Sequence, residues 1–395
     1  MEIFRALPKE LVEEEILTQV PVKYLNGLRS TCKQWNRLFT GDRRFARKHS
    51  DKAAKQFLVL MLTRFFRIRP TIVDLDGNVP TFEVKTELNL VDPHSEHPGA
   101  QFDVGAVFHC DGLLLCTSVD ESRFVVWNPL TGETRWFQPT YRPPRGRIFA
   151  LGYGMKKSYK ILSYYLDKKD VEIYEFSSDS WRVVGDAMPR GFTLGCCGLS
   201  VSLQGSTYLF AHDETKTDTF VSMVKFDYSS EKCVPLPLPY QLPNRRCEVT
   251  SLSVVKDEKL SLLLQRDVAS KTEIWLSNTI GETTKAVSWS KVLTLDLSPD
   301  LQVFDEGSFV FDEERKVVLI SEKWRDYGDG DFGDGGFGDE TPSKDMIYIV
   351  GEDNVVTQVD FGLEEVNGCQ AVILDYVPSL VPIERPGGKR QRADL

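Results

Sequence analysis

The chain has 395 residues, 41% of them hydrophobic and 11% aromatic, and a formal charge of −10. That is ample to bury a core and excludes wholesale disorder, and an acidic chain does not gather phosphate backbones, which disfavours a general nucleic-acid role. The charge is uneven: residues 1–50 carry ten Lys/Arg against six Asp/Glu, a local basic face that suits an acidic protein partner or a solvated helical surface equally well.

Residues 7–49 read as helix. Val12, Ile16 and Val20 recur at i, i+4 and i+8 with Leu17 beside them, giving one apolar stripe. Glu13, Glu14 and Glu15 occupy the early and middle turns, where negative charge suits the helix dipole. Pro21 stops this helix and can open the next. Leu25, Leu28, Cys32 and Trp35 follow at spacings of 3, 4 and 3 as a second stripe. Some forty residues of short helix make a poor independent core, so their apolar faces must meet either the rest of the chain or a partner.

From about residue 57 the pattern changes to short β-rich runs separated by turn residues, beginning with Phe57–Leu62. A loose repeat runs through them. Trp127, Tyr174, Phe226 and Trp275 occupy equivalent places, 47, 52 and 49 residues apart, and Tyr348 follows after 73. Steps near fifty match one blade of a β-propeller, a ring that removes exposed sheet edges. About five units are clear, with a further one over Phe57–Phe82. No unit has a Trp-Asp dipeptide, and Gly-Gly does not fall at strand ends. The fold expected is therefore α+β: a small three-helix N-terminal module followed by an all-β domain, a propeller with a β-sandwich as the alternative.

No cofactor and no metal are expected. His94 and His97 sit in a loop between Pro93 and Pro98 without a second ligand pair. In the Gly/Asp-rich stretch 326–342, Asp329-x-Asp331-x-Gly333-Asp334 fails the calcium-loop pattern at its fifth position, Gly333, and the stretch reads as a flexible insert. There is no Gly-x-Ser-x-Gly elbow, no phosphate-binding Gly-x-x-x-x-Gly-Lys-Ser/Thr loop, and no consistent Asp/Glu position in the repeat for a channel enzyme. The eight cysteines contain no Cys-x-x-Cys pair, and no run of about 18 apolar residues spans a membrane. The compartment expected is reducing, nucleus and cytoplasm, with Cys196-Cys197 as small strand residues. Lys389-Arg390-Gln391-Arg392 reads as a solvated tail or a nuclear address.

Three stretches carry a resemblance. Leu7-Pro8, Ile16-Leu17 and Val20-Pro21 lead to Leu28-Arg29-Ser30-Thr31-Cys32-Lys33-Gln34-Trp35-Asn36 and then Phe45-x-x-x-His49. Downstream stand Cys110-Asp111-Gly112-Leu113-Leu114-Leu115-Cys116 and Asn128-Pro129-Leu130-Thr131-Gly132. Together these resemble the plant F-box proteins that carry an F-box-associated interaction domain. The resemblance implies a substrate receptor of a Skp-cullin-F-box (SCF) ubiquitin ligase, itself non-catalytic. The F-box would bind a Skp-family adaptor and, through it, a cullin; the β-domain would hold a target protein for ubiquitination and degradation. Catalysis in such an assembly is proximity supplied by a scaffold.

Domains implied are 1–50 as the F-box, 51–104 as a connecting segment and first β unit, 105–383 as the associated domain and 384–395 as a tail. Adaptor contacts are expected among Leu7, Pro8, Leu11, Ile16, Leu17, Val20, Pro21, Leu25, Leu28, Cys32 and Trp35, with Leu7, Pro8, Ile16 and Leu25 mainly facing the partner. Two competing readings are a propeller interaction module with a helical cap and no ligase, and a propeller enzyme working through its central channel.

Overall fold

A computed structural model describes residues 8–20, 22–29, 31–41, 45, 48–49, 58–63, 66–75, 81–137, 147–165, 170–194, 200–215, 220–239, 242–243, 249–265, 271–281, 286–297, 307–323, 345–360 and 372–384.

The N-terminal part is helical, in short pieces. A wide turn covers Leu11–Ile16 and a 3₁₀ turn Leu17–Gln19. Val20 then goes extended at φ −70° and ψ 126°, as a residue before proline must. Helices Val22–Arg29 and Lys33–Gly41 follow. Cys32 opens the last of these: its Sγ accepts the Trp35 N–H at 3.3 Å, the role an N-cap side chain plays.

The rest is a ring of six blades, each an antiparallel sheet. Blade 2 is Val104–Cys110, Leu113–Ser118, Phe124–Asn128 and Glu133–Phe137, in order from the axis outward. Blade 3 is Arg147–Tyr153, Tyr159–Tyr165, Val171–Glu175 and Ser180–Val184. Blade 4 is built on Ser206–Asp213, Phe220–Asp227 and Lys232–Leu236, with the short strands Phe192–Leu194, Val201–Leu203 and Leu242–Pro243 added. Blade 5 is Val249–Val255, Lys259–Gln265, Thr272–Ser277 and Trp289–Leu295. Blade 6 is Ser308–Asp312, Val317–Lys323, Asp345–Val350 and Val356–Asp360.

Blade 1 is made from both ends of the ring. Its inner strand, Val372–Tyr376, pairs antiparallel with Leu58–Leu62, which continues into Ile68–Asp74 and Thr81–Val84. The last strand thus closes the circle onto the first, and no sheet edge is left open at the join.

Six apolar layers fill the six junctions between neighbouring blades. The repeated aromatics of the sequence all lie on the third strand of a blade, and all face the preceding blade. Trp127 packs toward blade 1, Tyr174 toward blade 2, Phe226 toward blade 3, Trp275 toward blade 4 and Tyr348 toward blade 5. The repeat therefore encodes the glue between blades, each ring contributing apolar area to its layer. The long step before Tyr348 arises because residues 324–344 sit between Lys323 and Asp345, which pair directly across the blade. The Gly/Asp stretch 326–342 lies within that connection and outside the described residues, as do Cys196-Cys197 and the basic tail.

Candidate functional site

The helical module has an interior of its own. Val12, Leu17, Leu25, Phe39 and Phe45 are buried together, with Val20, Leu28, Trp35 and Leu38 partly buried around them. Phe45 lies 5.3 Å from Phe39 and 5.9 Å from His49, ring centre to ring centre. His49 is 3% exposed and its Nε2 lies 2.8 Å from the Val20 carbonyl. Burial holds its imidazole below the usual histidine range. The Phe-x-x-x-His element is thus a packing device that ties the end of the module back to its 3₁₀ turn.

The module also rests on the ring, through Leu380 and Leu130, which complete its cluster. Leu130 belongs to the Asn128–Gly132 turn of blade 2. Leu380 belongs to a strap, residues 377–384, that follows the closing strand without regular secondary structure. Asn128, fully buried, clamps turn and strap together. Its Nδ2 donates to the carbonyls of Ser379 and Val381 at 3.0 and 2.9 Å, while its Oδ1 accepts the N–H groups of Leu130 and Thr131 at 3.0 and 3.3 Å.

The Cys110–Cys116 element grips the same strap from the axis side. Ser379 Oγ donates to the Asp111 carbonyl, and Tyr376 OH donates to the Gly112 carbonyl at 3.1 Å. Gly112 has φ +79°, and a Cβ there would fall 2.4 Å from Ser379 Oγ, so only glycine fits. Farther out, Arg135 donates to the Glu384 carbonyl and pairs with Asp179 at 2.8 Å, while Ile383 N–H reaches Glu133 at 3.1 Å. Both family-like motifs of the β-domain therefore build the seat on which the helical module sits.

The expected contact residues divide accordingly. Leu7 and Pro21 lie outside the described residues. Pro8 and Cys32 are exposed and Leu11 is 41% exposed. Ile16, Val20, Leu28 and Trp35 are half-buried, each offering part of its surface. Leu17 and Leu25 are 1% exposed. Leu25, expected to face a partner, points inward instead, because a two-turn helix between Leu17 and Phe39 must spend its central leucine on the module's own core. Tyr24, next to it, is 57% exposed; sequence reasoning passed over it because it falls off the stripe. The apolar face is thus partly sealed and partly open.

On the same end of the ring as strap and module, the turns between first and second strands bring carboxylates to the axis. Asp111, Asp257, Asp312 and Asp375 stand at or beside the ends of four inner strands. The repeat hid them because inner strands differ in length and register. Asp111 is held by Lys157 at 3.5 Å and by Tyr159 OH at 3.2 Å, and burial raises its carboxyl. His109 is driven down to about 4, chiefly by burial, and its neutral Nε2 accepts the Gly112 N–H at 3.0 Å. Burial, with Asp257 adding to it, raises Asp375 to about 8.

The inner strands leave an axial pocket of only about 60 Å³, room for a few water molecules. Among the described residues no group of three His, Cys, Asp or Glu is placed to hold a metal. His94 instead packs edge-on against Trp136 at 5.7 Å.

Comparison with known proteins agrees with this construction. The F-box domain family matches residues 6–47 and the F-box associated beta propeller domain family residues 58–383. The chain belongs to the F-box proteins that carry an F-box-associated β-propeller. The F-box protein ETP2 of Arabidopsis thaliana is 54% identical over 98% of both chains. The F-box/kelch-repeat protein At3g44120 and the F-box protein ETP1, from the same plant, are 48% and 47% identical over 98% and 96% of this chain and 98% and 97% of theirs. Among solved structures, the β-propeller domain of Myceliophteria_thermophila Cps50 (Swd1) aligns at a TM-score of 0.41 and 11% identity, over 78% of this chain and 87% of that one.

Proposed function

We propose that the chain is the substrate-receptor subunit of an SCF-type ubiquitin ligase, docking a Skp-family adaptor, and through it a cullin, by its helical module and holding a target protein on the propeller. The observation that carries this is the open apolar face of an F-box, bearing Pro8, Leu11 and Tyr24, joined to a ring by a built seat. Apolar surface left exposed on so small a module suits coverage by another polypeptide. The subunit itself is non-catalytic: it fixes the distance between target and the ubiquitin-charged enzyme. It works in the nucleus and cytoplasm, a placement supported by the free thiols Cys32, Cys110, Cys116 and Cys233.

The test is co-purification with a Skp-type adaptor. Leu11→Asp, which adds a charge at an already exposed position, is expected to weaken adaptor capture at least tenfold while the thermal unfolding of the ring stays in place. The double variant Leu7→Ala with Pro8→Ala should act in the same direction. Undiminished capture by both would overturn the docking assignment.

A further inference from the structure

Between blades 5, 6 and 1, on the end of the ring that carries the first-to-second-strand turns, lies an open cleft of about 770 Å³. That is far more than the axial pocket and within the range of bound ligands, about 300–1,000 Å³. Its lining has two parts. Val59, Val73, Leu75, Val310 and Leu319 give an apolar floor. The charged part is mainly acidic: Glu258, Asp312, Glu313, Glu314 and Asp375 against the two cations Lys256 and Arg315.

Those two cations are already engaged, and a third, Lys259 beside the cleft, holds Glu313 at 2.6 Å. Lys256 pairs with Glu314, and Arg315 with Asp312 at 3.0 Å. Asp375 is the exceptional member. It lies in the wall that the cleft shares with the axial pocket. The Lys256 backbone N–H donates to it, and the side chains acting on its charge are two further carboxylates, Asp257 and Asp312. A carboxyl so placed is relieved either by a proton or by a cation brought from outside.

We propose that this cleft receives a lysine or arginine side chain, flanked by apolar residues, from an extended segment of a target protein. The assignment rests on the reading of the propeller as the target-holding part and names the chemistry it selects. The floor takes the flanking aliphatic side chains. Asp375 takes the cation, and the acidic rim draws basic segments in and repels acidic ones. The volume exceeds one amine-bearing side chain, which is why a segment and not a free amine fits it.

The test uses the full-length chain and three pools of fluorescein-labelled nonapeptides with Val, Ile or Leu at the four positions around a fixed centre, the centre being Lys, norleucine or Glu. Fluorescence polarisation is expected to give at least tenfold tighter binding for the Lys pool than for the other two. Asp375→Asn should reduce the Lys pool to the norleucine level, and Leu75→Asp should weaken the Lys and norleucine pools together. Binding of the Lys pool should also strengthen about tenfold from pH 6.5 to 8.5, because the carboxyl must ionise to meet the cation; the norleucine pool should show no such rise.

Equal binding of the three pools, no binding of any, or an Lys preference that survives Asp375→Asn would each overturn the proposal. Adaptor capture is measured on the same variants. Capture retained while no pool binds sinks the cleft and leaves the ligase reading standing. Pools that bind as expected on a chain that captures no adaptor support the cleft and remove the ligase reading.

Discussion

Asn128 concentrates more of the design than any other single side chain. All of its hydrogen-bonding capacity toward the strap and the turn is used, and none of it is reachable by water. Removing it leaves two buried carbonyls and two half-buried N–H groups without that partner, and each buried group so left costs about 1–3 kcal/mol. Asn128→Ala is expected to lower stability by about 2–4 kcal/mol in urea unfolding, allowing for partial relaxation. Asn128→Asp keeps the volume and the acceptor but aims a charge at two carbonyls, so it should cost at least as much; a milder effect than alanine would mean the strap does not depend on the amide donors. His49 makes a second claim at this scale. Its folded pKa lies below the unfolded value of about 6.5, so the unfolded chain binds the extra proton first. The stability His49 gives is whole above that unfolded value and is lost as pH falls toward the folded one. Hydrogen exchange at the Leu17 and Val20 amides should therefore quicken as pH drops below about 6.5, after correction for intrinsic rates, and His49→Gln should flatten that dependence.

At the level of elements, what the sequence discloses is what repeats in side-chain chemistry. The third-strand aromatics recur because five of the six junctions between blades take a large ring from that strand, and so the spacing of Trp127, Tyr174, Phe226 and Trp275 marked four blades from sequence alone. The inner strands were invisible for the opposite reason. They line a narrow axis, so Ser202, Ser253 and Ser308 interrupt their apolar runs, and the aromatic repeat does not reach them. The closing strand Val372–Tyr376 was harder still, since its partner Leu58–Leu62 lies at the other end of the chain and no local pattern reports a pairing of that range. For the helical module the stripe was legible but its facing was not. Leu17 lies beside Ile16 in the first stripe and Leu25 shares the second with Leu28, and only the packing of Phe39, Phe45 and Leu380 decides which of them turn inward.

For the molecule as a whole, closure and docking are one structure. The segment from Val372 to Glu384 supplies the inner strand of blade 1, Ile373 to the layer between blades 6 and 1, Tyr376 to the layer between blades 1 and 2, Val381 and Ile383 to the next, and Leu380 to the helical module. A chain ending at Gln370 loses all of these at once and leaves Leu58–Leu62 as an unpaired edge. It is expected to lose cooperative thermal unfolding and to associate in sedimentation, whereas a chain ending at Glu384 should unfold as the full length does. Because the missing piece is a strand with its own pockets, a peptide spanning residues 371–384 should restore cooperative unfolding to the shortened chain in a concentration-dependent way. The same peptide carrying Leu380→Asp should restore the ring and not the protection of the helical module. If that variant peptide restores both, the module is held to the propeller by something other than the strap, and the fixed geometry that a scaffolding receptor requires must come from elsewhere.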